Sequence, residues 1–193
     1  DFPPSDKGPL TRAVFFASQI LFRELTHCYE AFTNGKDPQL PDLPLQYAEY
    51  AHWQREYLAG DVLAKQVAYW KNKLAGAQTM LDLPADHPRP KEHGWRGATA
   101  ELTFDSNVLS ALKEFAQSEG ATPFMVSMAV FQALLWRYTG QDSILVGTPT
   151  AARSQMEIEN LIGFFVNTLV FRADFASDMT FRELVRQVRE CAL

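Results

Sequence analysis

Four histidines, two cysteines and the acids of QMEIEN are the residues of this 193-residue chain best suited to chemistry. An imidazole can pass protons near neutral pH, a thiolate can attack, and several such groups at ligand spacing can hold a metal ion. Their positions argue against each use. His27 and His52 fall on helical stretches, where a hydrogen-bonded surface histidine is the simpler reading. His87 and His93 lie in a proline-rich connector, where solvent is the natural partner, and no pair has metal-ligand spacing. Cys28 and Cys191 stand far apart without a CxxC, so reduced, mostly buried thiols are expected instead of a zinc site or disulfide framework. Glu157 and Glu159 could serve as acid and base, but spaced acids on a loop are usually solvated. Walker, GxGxxG, GxSxG and HExxH signatures are absent.

A different kind of site is suggested by VGTPTAARSQMEIENLIGFFVNTLVFR. Gly147 and Pro149 end a strand, Arg153 follows in a loop, and Gly163 permits a close backbone approach before the strand that holds Asn167. An amide buried among Phe and Leu needs hydrogen-bonding partners or a wet cavity, although Asn167 tying down a neighbouring backbone remains an open alternative. Strand ends and the loops behind them are where α/β proteins tend to bind ligands, so a cleft is expected here.

The elements that must position this cleft follow from periodicity. Ile20, Leu21, Leu25, Cys28, Tyr29 and Phe32 recur at helical spacing from about Ser18, and TNGKDPQLPDLP ends that helix. A second helix is expected over about Leu45 to Leu58 and a third through Leu63, Val67, Trp70 and Leu74, both with aromatic faces that should bury much area. DLPADHPRPKEHG reads as an extended connector and the best candidate boundary. ATAELTF alternates as a half-buried strand would, and a helix follows over about Ser106 to Glu119. PFMVSMAVFQALLWRY, apolar nearly all round, predicts a helix buried between layers. SILVG and FVNTLVFR read as buried strands, and Thr180 and Glu183 stand at capping-box spacing before a last helix. The expected class is α/β, a mixed sheet covered by helices.

A hydrophobic content of 47% supports one core or a little more, while a net charge of -5 and a pI near 5.4 give no basic field for nucleic acid or an anionic membrane. The uncharged run from Gly120 to Trp136 falls short of the roughly 20 apolar residues a membrane span requires. DFPPSDKGPL lacks the apolar stretch of a secretory signal, so a cytoplasmic location is the expectation.

Six segments in one order, LPLQYAEYAHWQREYL, YWKNKLAGA, LDLPADHPRP, LLWRYTGQDSILVGTPTAAR, LIGFFVNTLVFR and FRELVRQVRECAL, resemble the condensation domain of nonribosomal peptide synthetases from about Gln19 onward. The resemblance implies a chloramphenicol acetyltransferase-like fold, in which two α/β lobes enclose a tunnel. It implies no cofactor bound directly, but 4'-phosphopantetheine arms of partner carrier domains that enter from opposite mouths. It also implies an adenylation domain of the same assembly line as a partner. The acceptor amine attacks the donor thioester and an amide forms. On this likeness Gly163, Asn167 and Thr168 help to wall the tunnel, Asn167 offers hydrogen bonds to substrate or arm, and Arg153 anchors nearby loops.

The family's HHxxxDG motif has no counterpart. Counting back from Arg23 places it on PLTRAVF, with Leu10 in place of its second histidine and Val14 in place of its aspartate, so no catalytic residue is assigned. The resemblance thus implies an incomplete lobe. Residues 1–17 form an atypical start, 18–83 the helical end of an N-terminal lobe, 84–96 a connector and 97–193 part of a C-terminal lobe. A free α-amino group has a pKa of about 7.7 to 8.0, so part of it is nucleophilic without a base. Positioning between two lobes is the larger requirement, and the chain alone is expected to be inactive. The competing readings are a non-catalytic carrier-docking module and a fragment of an epimerisation or heterocyclisation domain.

Overall fold

The computed structural model describes residues 9–87, 99–151, 153 and 155–193, with side chains described from residue 17 onward. The element order is α1 (Pro9–Thr33), α2 (Tyr47–Tyr57), α3 (Gly60–Lys73), α4 (Ser106–Ser118), α5 (Pro123–Thr139), β1 (Ser143–Ala151), β2 (Val166–Asp174) and α6 (Phe181–Ala192), with a 3-10 turn at Met156–Ile158. The helix expected from Ser18 starts earlier, at Pro9, a residue suited to a first helical position because its missing N–H has no intrahelical partner there. PLTRAVF is therefore helical backbone.

Local chemistry sets the helix ends. Asp105 caps α4, and Thr122 caps α5 by accepting from Met125 N at 3.3 Å. Helix α5 stops at Gly140, whose φ of 66° is readily available only to glycine and whose N–H closes on Trp136 O at 2.8 Å. The expected capping box of α6 forms, with Glu183 N donating to Thr180 Oγ1 and the Glu183 carboxylate accepting from Thr180 N at 2.7 Å.

Two compact units result, Asp1–Lys73 with Gly147–Val170, and Leu74–Val146 with Phe171–Leu193. The second unit holds the main core. Ala116 of α4, Met125, Val126, Met128 and Ala129 of α5, Phe171 and Ala173 of β2, and Leu184, Val185 and Val188 of α6 pack together. Gln132, fully buried in this layer, donates to Phe171 O at 3.1 Å. The first unit has a smaller cluster of Tyr50, Ile158, Leu161 and Phe165, with Leu43 and Leu45 packed against it.

Strands β1 and β2 pair as a two-stranded sheet, and Phe175 N donates to Asp142 O at 2.7 Å where the end of one meets the start of the other, an antiparallel arrangement. Where the sequence leads one to expect a mixed sheet, the described residues hold this pair of strands. The strand expected over ATAELTF does not form at residues 99–104, where Leu102 is 78% exposed, because a period-2 pattern makes no ladder without a partner. The aromatic faces of α2 and α3 also depart from expectation. Tyr50 is the buried residue of α2, and α3 buries none. Helix α5 buries one face but leaves Val130, Phe131, Leu134 and Tyr138 exposed. Cys28 and Cys191 are half-buried and are not joined in a disulfide. No described helix is long and apolar enough to cross a membrane. His93 and most of the proline-rich connector lie outside the described residues.

Candidate functional site

The first unit contains a cleft of about 690 Å³ lined by Gln19, Ile20 and Arg23 of α1, Ala151 at the end of β1, and Arg153, Glu159 and Asn160 of the following loop. Two guanidinium groups, one carboxylate and two amides line it together with apolar Ile20 and Ala151. Arg23 donates to Asn160 Oδ1 at 3.1 Å, and among the described residues no carboxylate lies within ion-pair distance of it.

The loop owes its shape to Arg153. One terminal nitrogen donates to Ile158 O and, at 3.2 Å, to Glu159 O; the other donates to Leu161 O at 2.9 Å. The planar group lies 4.0 Å from the centre of the Phe165 ring, close enough for a cation–π contact. Burial pushes Arg153 below the ordinary arginine value, opposed by Tyr50, while burial and then Tyr47 push the Tyr50 phenol up. Arg153 thus holds three backbone carbonyls of this loop and also borders the cleft.

Gly163 allows a close approach, and the group that approaches is Tyr47. A Cβ at this position would stand 2.6 Å from Tyr47 Cε2 and closer still to Cδ2. The Tyr47 hydroxyl donates to Phe164 O at 3.0 Å, and its ring meets Phe165 edge-on at 5.3 Å. Tyr47 is held in the first turn of α2, where the Glu49 carboxylate accepts from Gln46 N at 2.6 Å.

Asn167 is exposed, contrary to the burial inferred from its apolar neighbours, and its Oδ1 accepts from Thr168 N at 2.9 Å. Thr168 is exposed as well, with its methyl 3.4 Å from where a Gly147 Cβ would lie. The structure thus brings Arg153 and Gly163 onto one clasped loop but sets Asn167 and Thr168 on the open part of β2, outside the cleft lining. Arg23, Tyr47, Tyr50 and Asn160 are site residues that the sequence alone does not single out. Tyr47 and Tyr50 on one side of α2 are the available signal, but it reads equally well as an ordinary packing face. His27 is exposed, His87 is exposed, and His52 lies 3.4 Å from Glu56 one turn on.

The comparisons with known proteins agree on a family. A model of the Condensation domain matches residues 16–193. One of the linear gramicidin synthase proteins of Brevibacillus parabrevis is 51% identical over 178 residues, 92% of this chain and 4% of that protein. The X-domain from teicoplanin biosynthesis, solved alone and in complex with OxyB, superimposes with a TM-score of 0.85, at 30% and 31% identity, over 92% of this chain and 40% of that one. The first condensation domain of the calcium-dependent antibiotic synthetase, solved with a substrate analogue, gives a TM-score of 0.64 at 23% identity over 91% of this chain and 39% of that one, which supports the fold alone. The chain spans a small part of the curated synthetases it matches and about two fifths of the solved domains. With the sequence match and the α/β lobe in agreement, the chain belongs to the condensation-domain family of nonribosomal peptide synthetases.

Proposed function

We propose that these residues serve in amide-bond formation between a donor acyl thioester and an acceptor aminoacyl thioester, each delivered on the 4'-phosphopantetheine arm of a carrier domain. An adenylation domain of the same assembly line supplies the activated amino acid. The observation that carries this reading is 51% identity to a peptide synthetase across 92% of the chain. In its terms residues 18–83 belong to an N-terminal lobe and 97–193 to a C-terminal lobe. Gly163, Asn167 and Thr168 wall the substrate path, with Arg153 at the edge of the cleft. The protein supplies shape and hydrogen bonds, and no group in the described site is assigned as a base. Holding an amine against a thioester contributes several kcal/mol through orientation alone, about 7 to 11 in the best cases.

The test is a chimera in which residues 16–193 replace the matching segment of that linear gramicidin synthase. Amide formation between loaded carriers is followed by mass spectrometry. Product above a no-enzyme control supports the reading. A chimera that melts cooperatively and makes none refutes it. The TM-score of 0.85 to the X-domain, solved in complex with OxyB, favours one second reading, a docking module. Binding of a carrier or another protein by that chimera without turnover is its signature.

A further inference from the structure

Phe165 is 5% exposed just before the start of β2, and three groups flank its ring: Tyr47 edge-on at 5.3 Å, Tyr50 at 4.9 Å and the Arg153 guanidinium at 4.0 Å. Two of these residues, Arg153 and Tyr47, also take up the turn's carbonyls. Arg153 holds those of Ile158, Glu159 and Leu161, and Tyr47 holds that of Phe164. Gly163 lies between these attachments with no room for a side chain beside Tyr47. Residues 158–165 are thereby fixed from two directions by hydrogen bonds and ring contacts, with only a small apolar cluster beneath them. Asn167 and Thr168 follow within three residues of Phe165, so their direction depends on how this turn is set.

We infer that Arg153 and Tyr47 form a positioning pair, clasping residues 158–165 so that Asn167 and Thr168 leave the turn in one register toward the acyl and aminoacyl groups. The inference rests on the condensation reading and adds to it a division of labour within the loop. Three carbonyls occupy donors of Arg153, so its chief role is exercised through the turn. Lysine cannot replace it, because an ammonium lacks the planar fork that reaches several carbonyls while stacking on a ring. Phenylalanine at position 47 keeps the ring contacts and loses the bond to Phe164 O.

Two measurements test the pair. In this chain, Tyr47→Phe and Arg153→Lys should each speed hydrogen exchange of the amides of residues 159–166 by about tenfold and leave those of α5 unchanged. In the gramicidin chimera each should lower kcat by about tenfold to a hundredfold, with acceptor KM changed less than about twofold and the melting temperature within about 3 °C. Unaltered exchange overturns the inference, as does a turn unprotected in the unsubstituted chain. A lowered melting temperature with kcat retained shows a merely structural role. A rise in KM with kcat retained shows direct substrate contact. Either result also overturns the pair. An unsubstituted chimera that forms no amide, with the exchange effect intact, defeats the condensation reading and leaves the clasp standing as a structural fact.

Discussion

At the base of the β1–β2 hairpin, Ile144, Phe171 and Ala173 are buried, the latter two packed with α4, α5 and α6; at its tip, Asn167, Thr168 and Leu169 are all exposed. The base is stabilised by aliphatic area removed from water, which is non-directional and tolerant of detail. The loop that feeds the tip is stabilised by a guanidinium on three carbonyls, a phenol on a fourth and a glycine that makes room for a ring. Such contacts are directional, and each depends on one residue type. The difference separates a part held by non-directional burial from a part whose shape rests on a few particular residues.

The largest expected effect falls on the base. Leu184 is 2% exposed within the main core, and Leu184→Ala should cost about 2 to 5 kcal/mol in urea denaturation through lost transfer energy and a cavity. A cost below about 1 kcal/mol would show that the base is not the fold's anchor. The tip answers to shape. Gly163→Ala should cost about 1 to 3 kcal/mol because the new methyl overlaps the Tyr47 ring. Much of that loss should be recovered in the Gly163→Ala/Tyr47→Ala double variant, relative to Tyr47→Ala. Strict additivity in that cycle would mean that the two residues do not meet.

Smaller effects come from single polar groups. Removing the α6 cap with Thr180→Ala should cost about 1 kcal/mol, read by the same denaturation. Hydrogen bonds from the Thr180 N–H and then its hydroxyl hold Glu183 below its ordinary 4.5, so folding favours the ionised carboxylate. That contribution is present above the unfolded value and is lost as pH falls through the lowered folded one. Thr180→Ala should remove the hydroxyl's share of this acid limb and keep the larger share of the N–H. In the first unit the sign is opposite: burial raises the Tyr50 phenol above 10.0, so its contribution is complete below that pH and is lost as pH rises through the folded value. Hydrogen exchange near Leu161 and Phe165 should quicken there, while Tyr50→Phe removes the effect.

The base was largely legible in the sequence because its signals are local and periodic. The 3.6-residue spacing of α6, the Thr180–Glu183 pair, Pro123 and Gly140 each announce an element or its end within a few residues. The tip was legible only in outline. Arg153, Gly163 and Asn167 stood out by type, yet the acceptors of Arg153 are backbone carbonyls, which leave no mark on residue identity. Tyr47 meets Phe164 across 117 positions of chain, beyond the reach of any local pattern. Asn167 was expected to be buried because its neighbours are apolar, but apolar neighbours bury a residue only when another layer covers the strand. The exposed stripe of Phe22, Leu25, Tyr29 and Phe32 on α1 makes the same point, since its spacing is regular and its side chains remain open to solvent.

Whether the open end of β2 serves amide formation is the central question. The most direct measurement is the rate of amide formation by the gramicidin chimera with Asn167→Ala beside the unsubstituted chimera, at saturating loaded carriers and with melting followed in parallel. The expected rate is lowered by at least about tenfold, roughly 1.4 kcal/mol of transition-state stabilisation, at an unchanged melting temperature. Equal rates from two equally stable chimeras would contradict a role for Asn167 in the substrate path.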